Sequence, residues 1–260
     1  MKRRDLFWLI SLLGCAVFCR AVVAAEEPAK EEPARKKIKA VLLVGGVAHD
    51  FDTIAKDLSE KLPKHIPIEI EVVRNGAFLD KPEAGELDVI LMNHAIKSAK
   101  EVFTKPQEKR LLELIRGGVG VVAMHATYWS FNEWDEYHKI FGARFIHHPK
   151  GNIDLEVLIV DKKHPITAGV AGSFVVNSDL SYSTPLAANC HLLAKTREKG
   201  TTAECPCVWV RTYGKGRVVV SLPGHAASAF KNPEHLKLIA NSAAWAARRL
   251  DDGPGKSKTE

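Results

Sequence analysis

The chain has 260 residues, 46% hydrophobic and 26% charged, with 37 basic and 31 acidic side chains and a formal net charge of +6. This balance excludes a collagen-like or wholly disordered chain and leaves enough length for one α/β domain with a substantial core. The basic residues are scattered, with no basic stripe interleaved with aromatics, so no nucleic-acid partner is expected.

Residues 1–25 read as an export signal. Lys2, Arg3 and Arg4 make a positive start, residues 6–13 an apolar core, and Val23-Ala24-Ala25 a small-residue cleavage site before Glu26. The expectation is therefore an exported protein, periplasmic or extracellular. The apolar core is too short, and Arg20 too close, for a comfortable membrane span. Membrane contact is expected only through a retained leader or a lipid anchor, since Leu12-Leu13-Gly14-Cys15 resembles a lipoprotein box. Arg3-Arg4 before Asp5-Leu6-Phe7 also resembles a twin-arginine signal. The leader carries four of the 37 basic and one of the 31 acidic residues, leaving 33 against 30, or +3. Residues 26–37 repeat a charged, proline-bearing unit with nothing apolar to bury and read as a solvated linker. A similar tail is expected at 251–260, with one domain between them at 38–250.

Within that domain, strand-like and helix-like segments alternate, which argues for a mostly parallel sheet covered on both faces. Residues 39–44 read as the first strand, and Asp50 or Asp52 can cap a helix to about Leu62. A second strand is expected at 68–73, with Ile68, Ile70 and Val72 on one face, and a third at 88–92. Thr104-Lys105-Pro106-Gln107 has the form of a capping box opening a helix whose Leu111, Leu114 and Ile115 share a face, ended by Gly117-Gly118. Residues 119–124 form an unbroken apolar run, as a strand buried on both faces requires. Further strands are expected at 153–160, 191–196, 208–212 and 216–222, with a tight turn at Gly214-Lys215-Gly216. Asn232 and Pro233 open a last helix, whose stripe runs through Leu236, Ile239, Ala240, Ala243, Ala247 and Leu250.

Four of these apolar runs end at or near a histidine: His49, His94, His125 and His225. Ligands of open α/β sheets bind beyond the carboxyl ends of the strands, so these imidazoles point to one rim. Cys190, Cys205 and Cys207 follow the leader, and outside the cytoplasm a disulfide from Cys190 to Cys205 or Cys207 is expected.

Gly45-Gly46 with His49, the run from Gly118 to Ala126, Phe141-Gly142 with His148-Pro149, His164-Pro165-Ile166-Thr167, Asp179 to Tyr182, and Gly214 to Val218 with Gly224-His225 resemble the trehalose-utilisation (ThuA-like) family, in order over about residues 38–249. The resemblance implies a flavodoxin-like, class I glutamine amidotransferase-like three-layer sandwich and a link to carbohydrate metabolism. An amidotransferase of that fold carries a cysteine nucleophile at the strand-to-helix elbow. Here His125 occupies the elbow, so amidotransferase activity is not expected, while His225 stands where such enzymes carry their catalytic histidine. The family pattern is similar to Asp-Glu-Leu-Tyr where this chain reads Asp179-Leu180-Ser181-Tyr182, so one acidic position is replaced by Leu180.

His125, His225 and Asp179 are the candidate catalytic groups, because imidazoles and carboxylates move protons near neutral pH. His49, His125, His148 and His225 could instead hold a divalent metal such as zinc, although no compact zinc motif is present. His49, Tyr128, Trp129 and Tyr182 are candidates for sugar binding, with Asn132 or Glu133 taking hydroxyls. His94 could merely shape a loop, His164 reads as a turn residue, and Trp134 and Tyr137 read as core. The expectation is an enzyme of hydrolase, lyase or isomerase type acting on a disaccharide or keto-sugar. The alternative is a non-catalytic carbohydrate-binding or partner-binding domain.

Overall fold

The computed structural model describes residues 36–148 and 151–250. The expected leader, the linker up to residue 35 and the tail at 251–260 lie outside the described residues.

Strand β1 (Ile38–Gly46) is buried from residue 40 to 44 and pairs in parallel with both β2 (Ile68–Val73) and β3 (Val89–Ala95). Helix α1 (Phe51–Lys61) joins β1 to β2, and Asp50 caps it by accepting the backbone N–H of Thr53 at 3.1 Å. Strand β2 is the sheet edge, which explains one departure from expectation: Ile68 is buried, but Val72 is 41% exposed. Helix α2 (Lys105–Gly117) opens on the reciprocal Thr104–Gln107 capping box and ends at Gly118, whose φ of 129° suits glycine. It leads into β4 (Gly120–Met124), buried throughout. After β4 come helix α3 (Asp135–Phe141) and a small antiparallel ribbon of β5 (Phe145–His147) with β8 (Tyr182–Ser183).

The second half adds β6 (Ile153–Ile159), β7 (Ser173–Ser178), β9 (His191–Glu198), β10 (Cys205–Tyr213) and β11 (Gly216–Ser221). The sheet order is β2-β1-β3-β4-β11-β10-β9-β6-β7, parallel from β2 to β11 and antiparallel beyond. Its first strands run 2-1-3-4, the flavodoxin-like order. Right-handed crossovers in opposite directions put α1 and α2 on opposite faces. Helix α4 (Pro233–Ala246), capped by the Asn232 side chain, seals the sheet, and Gly120 packs so tightly beneath it that an added Cβ would lie 2.4 Å from the Ala246 oxygen. The stripe is buried from Leu236 to Ala247, while Leu250 falls beyond the helix. No described helix is long and apolar enough to cross a membrane.

The expected disulfide is corrected. Cys190, Cys205 and Cys207 are free thiols. His191 pairs with Val210 and Thr196 with Cys205, so Cys190 lies several residues along the ladder from either partner, roughly 10–20 Å at the rise of a strand. A disulfide needs Cα atoms within about 7 Å.

Candidate functional site

Three parallel strands deliver three imidazoles to one place, each through a left-handed turn. At its end β1 passes through Gly45 (φ 144°) and Gly46 (φ 103°), and Ala48 (φ 69°) follows before His49. A Cβ on Gly46 would lie 2.0 Å from the Ala95 carbonyl oxygen, so β1 can turn this closely over β3 only at glycine. His125 follows β4 directly with φ 49° and is 4% exposed. A buried non-glycine residue held in this region marks a site where the surroundings enforce the conformation. Beyond β11, Gly224 (φ 145°) turns the chain into His225, and a Cβ there would meet Phe230 at 2.8 Å and the His125 Cβ at 3.2 Å.

The Nε2 atoms of His49 and His125 are 2.8 Å apart, and one ligand nitrogen from each of His49, His125 and His225 lies within 4.8 Å of the others. The opposite ring nitrogens decide the tautomers. Nδ1 of His49 faces the Val47 carbonyl at 2.9 Å, Nδ1 of His125 the Leu222 carbonyl at 3.0 Å, and Nδ1 of His225 the Asp179 Oδ2 at 3.2 Å. Carbonyls and carboxylates only accept, so each Nδ1 carries the proton and each Nε2 presents a lone pair. Burial lowers the pKa of His49 and takes that of His125 to about 4, which keeps both rings neutral near pH 7.

Asp179, just past β7, organises the surroundings. Burial alone would raise its pKa, but the hydrogen bond from His225, the charge of His125 and the Ser181 hydroxyl outweigh it and hold the carboxyl at about 2. Ser181 donates to its Oδ1 at 2.9 Å. The neighbouring Ser178 Oγ accepts the backbone N–H groups of Gly224 (2.9 Å) and His225 (3.0 Å), fixing the turn that aims His225. Gly151 leaves the open side of the His225 ring clear, since a Cβ there would sit 3.1 Å from Nε2. Ser178, Ser181 and Gly151 carry no sequence signal that singles them out.

A cavity of about 290 Å³ opens over this cluster, lined on its far side by Ala126, Tyr128, Trp129 and Phe145. His49, His125, His148, Asp179 and His225 all reach it. His148, however, has a side chain 42% exposed, with its Nδ1 3.9 Å from Asp179, and stands outside the group of three imidazoles whose ligand atoms lie within 4.8 Å of one another. Tyr182 does not line the cavity; its ring stacks on His147 at 4.8 Å. Glu133 accepts from Ser98 Oγ and the Ala99 N–H and so closes a turn instead of facing a sugar. His94 is buried in the core on Ser130 and Tyr137, His164 accepts the Ile166 N–H in a turn, and Tyr137 is fully buried.

Fold and site together define a flavodoxin-like, class I glutamine amidotransferase-like domain with histidine, not cysteine, at the elbow beyond β4. Over residues 39–246 the sequence matches the family model described as ThuA, trehalose utilisation, and the chain belongs to that family. A ThuA-like protein of Parabacteroides merdae is 18% identical, with a TM-score of 0.69 over 86% of this chain and 94% of that one. A ThuA-like protein of Bacteroides uniformis is 18% identical, with a TM-score of 0.68 over 85% and 95%. The fold is shared further by a cytoplasmic protein of Salmonella typhimurium, 12% identical with a TM-score of 0.57 over 79% and 98%. No curated protein sequence matches.

Proposed function

We propose that this protein is a sugar-processing enzyme whose centre is a divalent metal, zinc or a similar ion, held by His49, His125 and His225. One observation carries this reading: two Nε2 lone pairs face each other at 2.8 Å with both Nδ1 protons committed elsewhere. Such a pair repels unless a proton or a cation lies between the nitrogens. Burial disfavours the proton, because it would create an imidazolium in a poorly solvated site. A cation held between the imidazoles would remove that repulsion, and neutral imidazole is the form of histidine that ligates zinc. The Nδ1 contacts to Val47, Leu222 and Asp179 are the outer hydrogen bonds that orient metal-ligating histidines.

A bound ion supplies a Lewis acid for a sugar carbonyl or hydroxyl and lowers the pKa of water. The chain's own residues do the rest. Asp179 holds His225 in register, His148 stands at the cavity wall with access to solvent, and the exposed part of Trp129 offers an apolar face to sugar C–H groups. The cavity contains no cysteine or serine at the elbow, which supports a reaction other than glutamine hydrolysis. A disaccharide or keto-sugar substrate follows from the family's association with trehalose, and hydrolysis, elimination and isomerisation draw on the same parts. The leader-like first 25 residues support action outside the cytoplasm.

The competing reading, a carbohydrate-binding domain without chemistry, rests on Leu180 in place of an acid. Leu180 is buried and does not line the cavity, so the replacement removes no group from it. The test is metal analysis of purified protein followed by product detection on a panel of glycosides and 3-keto-glycosides. The expected result is about one metal per chain and turnover lost in His125→Ala. No metal, no turnover and unchanged sugar affinity in that variant would sink the enzyme reading.

A further inference from the structure

The cavity over the histidines has two unlike walls. His49, His125, His148, Asp179 and His225 make one of them, and Ala126, Tyr128, Trp129 and Phe145 make the other. The second wall offers a ligand carbon and little else. Its polar side-chain atoms are the Trp129 indole nitrogen and the Tyr128 phenol oxygen, and the phenol oxygen is buried out of reach of the cavity. Ser181, which also lines the cavity, has committed its hydroxyl proton to Asp179. Tyr128 is 1% exposed and packs edge-on behind Phe145, with centroids 5.8 Å apart and planes at 86°, so Phe145, only partly buried, is the ring that this wall presents.

At about 290 Å³ the cavity lies at the small end of ligand sites, which leaves little space for water to bridge a hydroxyl to a wall without partners. A second sugar ring set against Phe145 would bury hydroxyls that lose water and gain no hydrogen bond, which opposes binding. An aromatic ring in the same place sheds only apolar hydration and gains offset or edge-to-face contacts. No lysine or arginine lines the cavity, so nothing there balances a phosphate or carboxylate. We propose that the site takes a glycoside whose aglycone is an uncharged aromatic ring, seated against Phe145 while the sugar faces the imidazoles. This rests on the sugar-processing reading and narrows its substrate from any disaccharide or keto-sugar to an aryl glycoside.

Calorimetry on the full chain tests this with the phenyl and methyl glycosides of 3-ketoglucose, with trehalose and with phenol. The phenyl glycoside is expected to bind at least about tenfold more tightly than the methyl one, and more tightly than trehalose. In Phe145→Ala the phenyl-to-methyl ratio falls severalfold; both affinities come from one protein, so a loss of folded material scales them together and leaves their ratio alone. A wild-type ratio near one, or trehalose bound more tightly than the phenyl glycoside, overturns the aryl class and leaves the sugar reading standing. A ratio that Phe145→Ala does not change overturns the seat assigned to the ring. Phenol bound as tightly as its glycoside, or no binding of any of these ligands, overturns the sugar reading itself.

Discussion

Histidines 94 and 125 look alike in the sequence, each closing an apolar run, yet only one belongs to the site. His94 lies within β3, which continues to Ala95, so the alternation of the strand turns its side chain into the layer occupied by Ser130 and Tyr137. His125 lies one residue past β4, where the left-handed turn frees it to face the rim. One residue of strand length separates a core imidazole from a site imidazole, and apolar periodicity does not resolve ends that finely. The glycines are more telling. Gly46→Ala places a Cβ against the Ala95 carbonyl at a φ alanine resists, and a loss of about 3 kcal/mol or more is expected in urea unfolding.

Protonation adds a second prediction at this scale. Burial, the leading cause at each, takes the pKa of His94 to about 3 and those of His125 and His235 to about 4. Unfolded imidazoles titrate near 6.5, so between about pH 6.5 and 4 the unfolded chain binds more protons. Their contribution is therefore full above about 6.5 and is lost as pH falls through that window. Asp179, held at about 2 against an unfolded value near 3.8, adds a loss only below about pH 4. Urea midpoints should fall steadily from pH 7 to pH 4, whereas a midpoint flat from pH 7 to 5 contradicts neutral buried histidines.

Elements with strong local signals are legible in the sequence and those defined by partners are not. The Thr104–Gln107 box, the Asn232-Pro233 start and the unbroken apolar runs each encode their element within a few residues, and each forms where the sequence places it. Thr104→Ala should cost about 1 kcal/mol, since it leaves a first-turn N–H without its side-chain acceptor, and chemical denaturation measures this directly. The edge strand β7 and the β5–β8 ribbon are short and only partly apolar, so their pairing is set by neighbours far along the chain. That is also why Asp179 stands out in the sequence while Ser178, which holds the Gly224–His225 turn from β7, does not.

For the whole molecule, the parallel half supplies the three imidazoles, and the antiparallel half supplies Ser178 and Asp179, which orient His225. Topology brings His49, His125 and His225 together from positions spread over most of the domain, so the cluster is invisible as a motif and visible only as strand ends on a common rim. His148 illustrates the limit of that reasoning, because the ribbon carrying it brings it to the cavity but not into the imidazole group. A site that binds metal only when folded stabilises the fold by mass action, so saturating zinc should raise the thermal midpoint and a chelator should lower it.

The central claim is that three imidazoles form one metal site, and a zinc titration by calorimetry tests it most directly on the wild type and on His49→Ala, His125→Ala, His225→Ala and His148→Ala. The expected result is a single site per chain, lost or weakened at least about a hundredfold in each of the first three variants and retained in His148→Ala. A wild type that takes up no ion, or affinity undiminished by loss of His49, His125 or His225, contradicts it.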